Sequence, residues 1–151
     1  MTKIIEDEIQ SDKFRNVHHK VALNIIFTAN WIHYHHINLF KKYAITGQQY
    51  NVLRILRGQY PTPCTVLLIK ERMLDKVSDT SRIVERLRVA GFVERVLCEK
   101  DRRAVDVKIS KKGLDLLKKM EKEEDSMDAL MKNLTNTEAK QLNQLLDKLR
   151  D

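Results

Sequence analysis

Hydrophobic positions recur every three or four residues over most of the chain. Ile25, Ala29, Ile32, His36, Leu39 and Tyr43 follow one another at alternating spacings of four and three. This predicts one long helix over about 13–43 with a continuous apolar seam. So long a helix has little to pack against in a small chain, and part of the seam is expected to meet a second subunit; a core helix within one chain is the alternative. Three later helices announce their starts. Thr46 followed by Gln49 forms a capping box, with Ile45 and Tyr50 as its hydrophobic staple, and Thr135 with Glu138 repeats the device after Leu134. Ser110 between Ile109 and Leu114 is a weaker version. Helices are expected over 46–58, 111–132 and 136–149. Leu114, Leu117 and Met120, then Leu142, Leu145, Leu146 and Leu149, supply the apolar faces of the last two.

The pattern changes over 62–110. Pro61 and Pro63 break the chain, and Thr65 can cap a short helix over about 66–72. Ser78 can cap a second, which ends at Gly91, a good residue just past a helix C-terminus. Two extended segments follow, Phe92 to Cys98 and Ala104 to Ile109. In the second, Val105, Val107 and Ile109 alternate with Asp106 and Lys108, the period of a half-buried strand. The connector Glu99-Lys100-Asp101-Arg102-Arg103 is short and fully charged. Helix, turn, helix and a hairpin with a charged tip is the order of a winged helix-turn-helix.

Composition narrows the functional classes. The 151 residues contain only 4 Gly and 2 Pro, with 32% charged residues, which suits a mostly helical globule. No apolar stretch approaches the length of a membrane span and the N-terminal residues are polar, so neither a membrane protein nor a secreted one is expected. Two cysteines, Cys64 and Cys98, are too few for a disulfide framework and fit a reducing cytoplasm. The net charge is +7, which favours a polyanionic partner. Residues 1–61 carry eight basic against four acidic side chains, 62–110 eleven against eight, and 111–151 nine of each. A polyanion-binding face should therefore lie upstream of residue 111. Little glycine is present for phosphate-cradling loops, and no nucleotide-binding, zinc-protease or nucleophile-elbow motif occurs, so an enzyme is not expected.

Five pieces of the chain carry a family resemblance. They are Ile45-Thr46-Gly47-Gln48-Gln49-Tyr50, Ser81-Arg82-Ile83-Val84-Glu85-Arg86-Leu87, Gly91-Phe92-Val93-Glu94-Arg95, Asp101-Arg102-Arg103-Ala104-Val105 and Ile109-Ser110-Lys111-Lys112-Gly113. In order and spacing this set, spanning about 45–113, resembles the MarR family of transcriptional regulators. The resemblance implies a mainly α fold with a small β-hairpin wing: a winged helix-turn-helix flanked by N- and C-terminal dimerisation helices. Residues 1–44 would form the N-terminal dimerisation helix, 45–110 the DNA-binding domain and 111–151 the C-terminal dimerisation helices. It further implies a homodimeric, ligand-responsive regulator, repressor or activator, that binds pseudo-palindromic operators in double-stranded DNA, with no cofactor. One departure is Lys70 after Ile69, where a small residue often lets the two helices approach; its stem is expected to lie along the surface.

The residues of the second motif helix support DNA reading independently. Thr80, Ile83, Val84 and Leu87 make its inner face, which turns Asp79, Ser81, Arg82, Glu85 and Arg86 outward. Arginine can pair bidentately with guanine in the major groove, and serine donates or accepts there. Ser81 and Arg82 are assigned base contacts, Arg86 a base or phosphate contact, and Ser78 a place at the same interface. Asp79 has two readings, acceptor from cytosine or partner of the helix's positive end. A solvated helix with Glu85 and Arg82 paired locally is the bland alternative. At the hairpin tip, Asp101 and Arg103 resemble the family's wing motif, in which the arginine enters the minor groove and the aspartate holds it. Lys100 and Arg102 would flank it on phosphates.

The remaining candidates are weaker. His18, His19, His33, His35 and His36 all lie on the first long helix, and His33 and His36 are one turn apart, but no Cys, Asp or Glu accompanies them over 13–43. No metal site is expected, and His36 is read as lining a pocket or the subunit interface. Trp31 and Tyr34 nearby offer aromatic surface for a small-molecule effector, placed by the resemblance between the first helix and the winged domain. Neither cysteine has an activating base beside it, so inert thiols are expected rather than a redox switch. The competing classes are a winged-helix module that binds protein instead of DNA, and a metal or redox sensor of the same fold.

Overall fold

The computed structural model of the chain describes residues 3–97 and 105–151. The chain divides into two compact units, one reaching to Asn38 and one spanning Leu39–Asp151.

The first unit holds a short helix α1 (Ile5–Ile9) and most of α2 (Val17–Lys42). The long helix starts at Val17 rather than near residue 13. Asn16 accounts for that boundary, because its side-chain oxygen accepts from the His19 N–H at 2.9 Å and so caps the first turn. The sequence pattern gave no sign of α1; it is tied to α2 by the ion pair of Glu6 with Lys20. The predicted seam of α2 is only half-buried at Ile25, Ile32, His36, Leu39 and Tyr43, and Ala29 is exposed. Phe40 is the one buried residue of this helix.

The end of α2 opens the second unit. Ile45 N–H donates to the Phe40 carbonyl and Ala44 N–H to that of Lys41, closing the helix with a left-handed residue, Ala44, at φ 54°. Beyond it the order is α3 (Gly47–Gln59), β1 (Cys64–Thr65), α4 (Val66–Arg72), α5 (Thr80–Val89), β2 (Val93–Leu97), β3 (Val105–Ile109), α6 (Lys111–Met120), α7 (Glu124–Asp128) and α8 (Asn136–Leu149). The Thr46 and Thr135 capping boxes both form and set the starts of α3 and α8. Thr65 caps α4 as expected. Lys70 is exposed while Ile69 is fully buried, so the lysine stands off the helix contact.

The predicted helix over 111–132 ends at Met120 and continues only as a 3-10 turn (Glu121–Glu123), α7 and a second 3-10 turn (Ala129–Met131). Glu121 repels Glu124 and Asp125 along a regular helix, being three and four residues away. Cations outside the segment pair with three of its carboxylates: Arg57 holds Glu121, Lys42 holds Glu123 and Arg54 holds Glu124. The motif helix also departs from its expected start. It is capped by Asp79, not Ser78, and starts at Thr80.

The three strands form an antiparallel sheet in the order β1-β3-β2. β2 and β3 make the predicted hairpin, with Val93 opposite Ile109 and Leu97 opposite Val105. Two-residue β1, absent from the sequence reading, pairs Cys64 with Val107. Leu53, Leu56, Ile69, Met73, Leu87, Ile109 and Leu117 form the fully buried centre of the core. Each such side chain contributes about 1.5–3 kcal/mol, against about 0–1 kcal/mol for a surface ion pair, so packing decides this fold. Phe40, Ile45 and Met120 form a second cluster, joined by Tyr50, where the predicted staple of Ile45 and Tyr50 closes.

The hairpin is fastened at its base. Gly91 adopts a left-handed φ of 81°, and Phe92 N–H donates to the Leu87 carbonyl to close α5. Ser110 caps α6 by accepting from Gly113 N–H, and its hydroxyl donates to the Gly91 carbonyl at 2.7 Å. Gly113 sits so close to this corner that a Cβ would lie 2.4 Å from the Phe92 carbonyl oxygen and 2.7 Å from Ile109 Cγ1. Gly113→Ala, favourable by about 1 kcal/mol in an isolated helix, should here lower stability by roughly 2 kcal/mol net, because backbone must move. A melting temperature equal to or above that of the parent chain would refute this reading of the corner.

Candidate nucleic-acid interface

α5 presents two unlike faces. Thr80, Ile83, Val84 and Leu87 are buried, as the pattern predicted. Ser81, Arg82 and Arg86 are exposed on the opposite side, with Arg82 and Arg86 one turn apart. Asp79 is exposed and its carboxylate accepts from the Arg82 N–H at 3.1 Å, so it serves the positive end of the helix.

Glu85 does not pair with Arg82. Its carboxylate takes both Nε and Nη2 of Arg88, at 3.0 and 2.7 Å, and also Nη2 of Arg95 on β2 at 2.7 Å. The Arg88 hydrogen bonds hold the Glu85 carboxyl below its ordinary pKa. This arrangement fastens α5 to the hairpin and uses up the nearest acid. Among the described residues, neither Arg82 nor Arg86 pairs with a carboxylate. Two guanidinium forks are thus held out on one side of a helix, the geometry that pairs with guanine edges or phosphates.

The turn into α5 is built from residues distant in sequence. Gln48 at the start of α3 donates through Nε2 to the Asp75 carboxylate at 2.9 Å and to the Ser78 hydroxyl at 3.0 Å. Asp75 also accepts from the Val77 N–H at 3.0 Å, and Asn51 accepts from the Leu74 N–H at 2.9 Å. Hydrogen bonds from Ser78, then Gln48, keep the Asp75 carboxyl below its usual pKa. Ser78, expected as a cap and a DNA contact, is half-buried in this network. Gln48, Asn51 and Asp75 escaped the sequence reading, since no local pattern links residues about 25 positions apart.

The wing candidates Lys100, Asp101, Arg102 and Arg103, with Cys98, lie outside the described residues. Cys64 is buried, and burial pushes its thiol pKa up, away from the reactive thiolate. In the first unit the indole of Trp31 meets His35 edge-on at 4.8 Å between ring centres, and Tyr34 meets the same imidazole at 6.0 Å. Trp31 and Tyr34 are otherwise exposed. His36 is half-buried; desolvation first, then the neighbouring His33 and His35, lower its pKa. Among the described residues no group of three or more His, Cys, Asp or Glu could hold a metal ion, and no helix is long and apolar enough to cross a membrane.

No protein-family model and no curated protein matches the chain. Solved structures do. A MarR transcription factor from Planctomyces limnophilus is 25% identical, with 91% of this chain and 98% of that one covered and a TM-score of 0.67. A mutant MarR from E. coli complexed with operator DNA is 23% identical over 97% of this chain and 99% of that one, with a TM-score of 0.77. An organohalide-sensing transcriptional regulator in its 2,4-dichlorophenol-bound form is 20% identical over 89% and 80%, with a TM-score of 0.79. These neighbours are transcription regulators rather than enzymes, and their backbones superpose on most of this chain. The chain therefore has the winged-helix fold of the MarR-type transcription regulators.

Proposed function

We propose that the chain is a sequence-specific DNA-binding regulator that acts as a homodimer in the cytoplasm and represses transcription from pseudo-palindromic operators. The observation that carries this is α5, whose exposed face holds Ser81, Arg82 and Arg86 while Glu85 is turned to Arg88 and Arg95. Residues 45–110 would read DNA, with Arg82 on a base edge, Arg86 on a base or phosphate, and Arg103 in the minor groove of an A·T-rich flank, between Lys100 and Arg102 on phosphates and held by Asp101. Residues 1–44 and 111–151 would supply the dimer contacts. The uncovered apolar side chains support that: none of α8 is buried, and Val17, Val21 and Ile26 of α2 are exposed. A small aromatic effector, as in the dichlorophenol-bound neighbour, would bind near Trp31, Tyr34 and His36 and act by favouring one dimer geometry over another.

Selection of bound sequences from random duplex DNA tests the reading. The expected result is a pseudo-palindrome with half-sites about one helical turn (roughly 34 Å) apart. Unbiased recovery of sequences, with affinity set by salt alone, would reduce the interaction to charge and overturn the assignment.

A further inference from the structure

We propose that Val77 reads the methyl group of a thymine in the major groove, adding an apolar contact to the polar ones of α5. The inference rests on the DNA-binding reading above. Val77 is 94% exposed and Leu74 88% exposed, more than any other large hydrophobic residue among those described. Scattered apolar side chains on a surface need no explanation, but this one stands on a turn that is held rigid. Its own N–H is fixed by the Asp75 carboxylate, Ser78 N–H donates to the Asp75 carbonyl, and Gln48 grips both Asp75 and Ser78. Valine is branched at Cβ and stiff at χ1, so a fixed backbone also fixes its methyl groups. It precedes the Asp79 cap by two residues, at the end of α5 that carries Ser81 and Arg82. Among the base edges that face the major groove, the thymine C5-methyl is the apolar one. An exposed valine on a hydrogen-bonded turn, two residues before the cap of the helix that carries Arg82, therefore matches a thymine near a guanine. Leu74 lies one residue after Met73, the C-cap of α4, at the opposite end of the turn from α5, and is not needed for the contact.

The test replaces each thymine of the duplex selected from random sequence by deoxyuridine, one position at a time, which removes the methyl and leaves the pairing edge intact. Parent protein should lose about fourfold in affinity at one thymine per half-site, and about sixteenfold when both half-sites carry the change. Val77→Ala should bind thymine and uracil duplexes alike, with an unchanged melting temperature because the side chain is exposed. Equal binding of every uracil duplex by the parent, or the same uracil penalty in Val77→Ala, overturns the inference while leaving the DNA reading intact. A protein that binds no duplex overturns both.

Discussion

Deleting residues 134–151 should convert the protein to monomer or aggregate and cut operator affinity by about 10²–10⁴-fold, the factor that joining two half-site contacts contributes. The segment contains all of α8, whose start is set by the Thr135 and Glu138 box. In a single chain most of its leucines lie open: Leu145 is 64% exposed and Leu149 62%, while Leu146 is half-buried. An amphipathic helix with its apolar face in water is stable only when something covers that face, and in a protein reading a two-fold symmetric site a second copy does so. Without it each winged domain would bind its half-site alone. Light scattering at micromolar concentration, combined with an operator titration, decides the matter. A monomeric mass for the intact protein, or an operator-binding dimer after deletion, would show that α8 has another role.

Arg82→Ala should weaken binding to the selected operator by about 1–3 kcal/mol per half-site, hence about 2–6 kcal/mol for the dimer if the two copies act independently. On scrambled duplex the loss should be much smaller, and discrimination should flatten at one position in each half-site. The prediction is sharp because the Arg82 side chain is exposed and Glu85 is spent on Arg88 and Arg95, so its removal breaks no fastening of the fold. Its backbone N–H, which Asp79 caps, survives the substitution. Thermal stability should therefore stay within about 0.5 kcal/mol of the parent, separating a lost contact from a lost fold. Salt-controlled titration of parent and variant on both duplexes supplies the answer. An equal loss on operator and scrambled DNA would make Arg82 a phosphate contact.

Local signals located most of the elements because they are written in neighbouring residues. A threonine and an acid or amide three positions later fix a helix start through two hydrogen bonds, and Thr46 and Thr135 did so. The four-residue inner face of α5 and the burial of Val107 and Ile109 on β3 follow from the geometry of one element against one core, while Val105, expected on the same face, is exposed. The exposed Ser81, Arg82 and Arg86 were legible for the same reason, being the complement of that inner face. One failure arose where two candidates competed locally. Ser78 and Asp79 can each cap a helix, and the choice fell to Asp79 because Gln48, on another helix, holds the Ser78 hydroxyl.

What the sequence determined by itself is the starts of α3, α4 and α8, the succession of motif helix and hairpin, and the inner face and outward arginines of α5, all set by contacts within a few residues; α1 and β1 left no local signal. Tertiary structure alone decided the rest. It ended α6 at Met120, where Arg57, Lys42 and Arg54 from earlier helices pair with Glu121, Glu123 and Glu124 of the segment that follows. It made Gly113 necessary within a helix, because the Phe92 carbonyl oxygen occupies the space a side chain would need. It built the rigid turn that carries Val77 from Gln48, Asn51 and Asp75, groups that meet only after α3 has packed against the helices that follow. Periodicity reports which side of an element faces inward. It carries no record of which distant group that side will meet, since hydrogen bonds and close approaches between elements depend on the placement of whole helices.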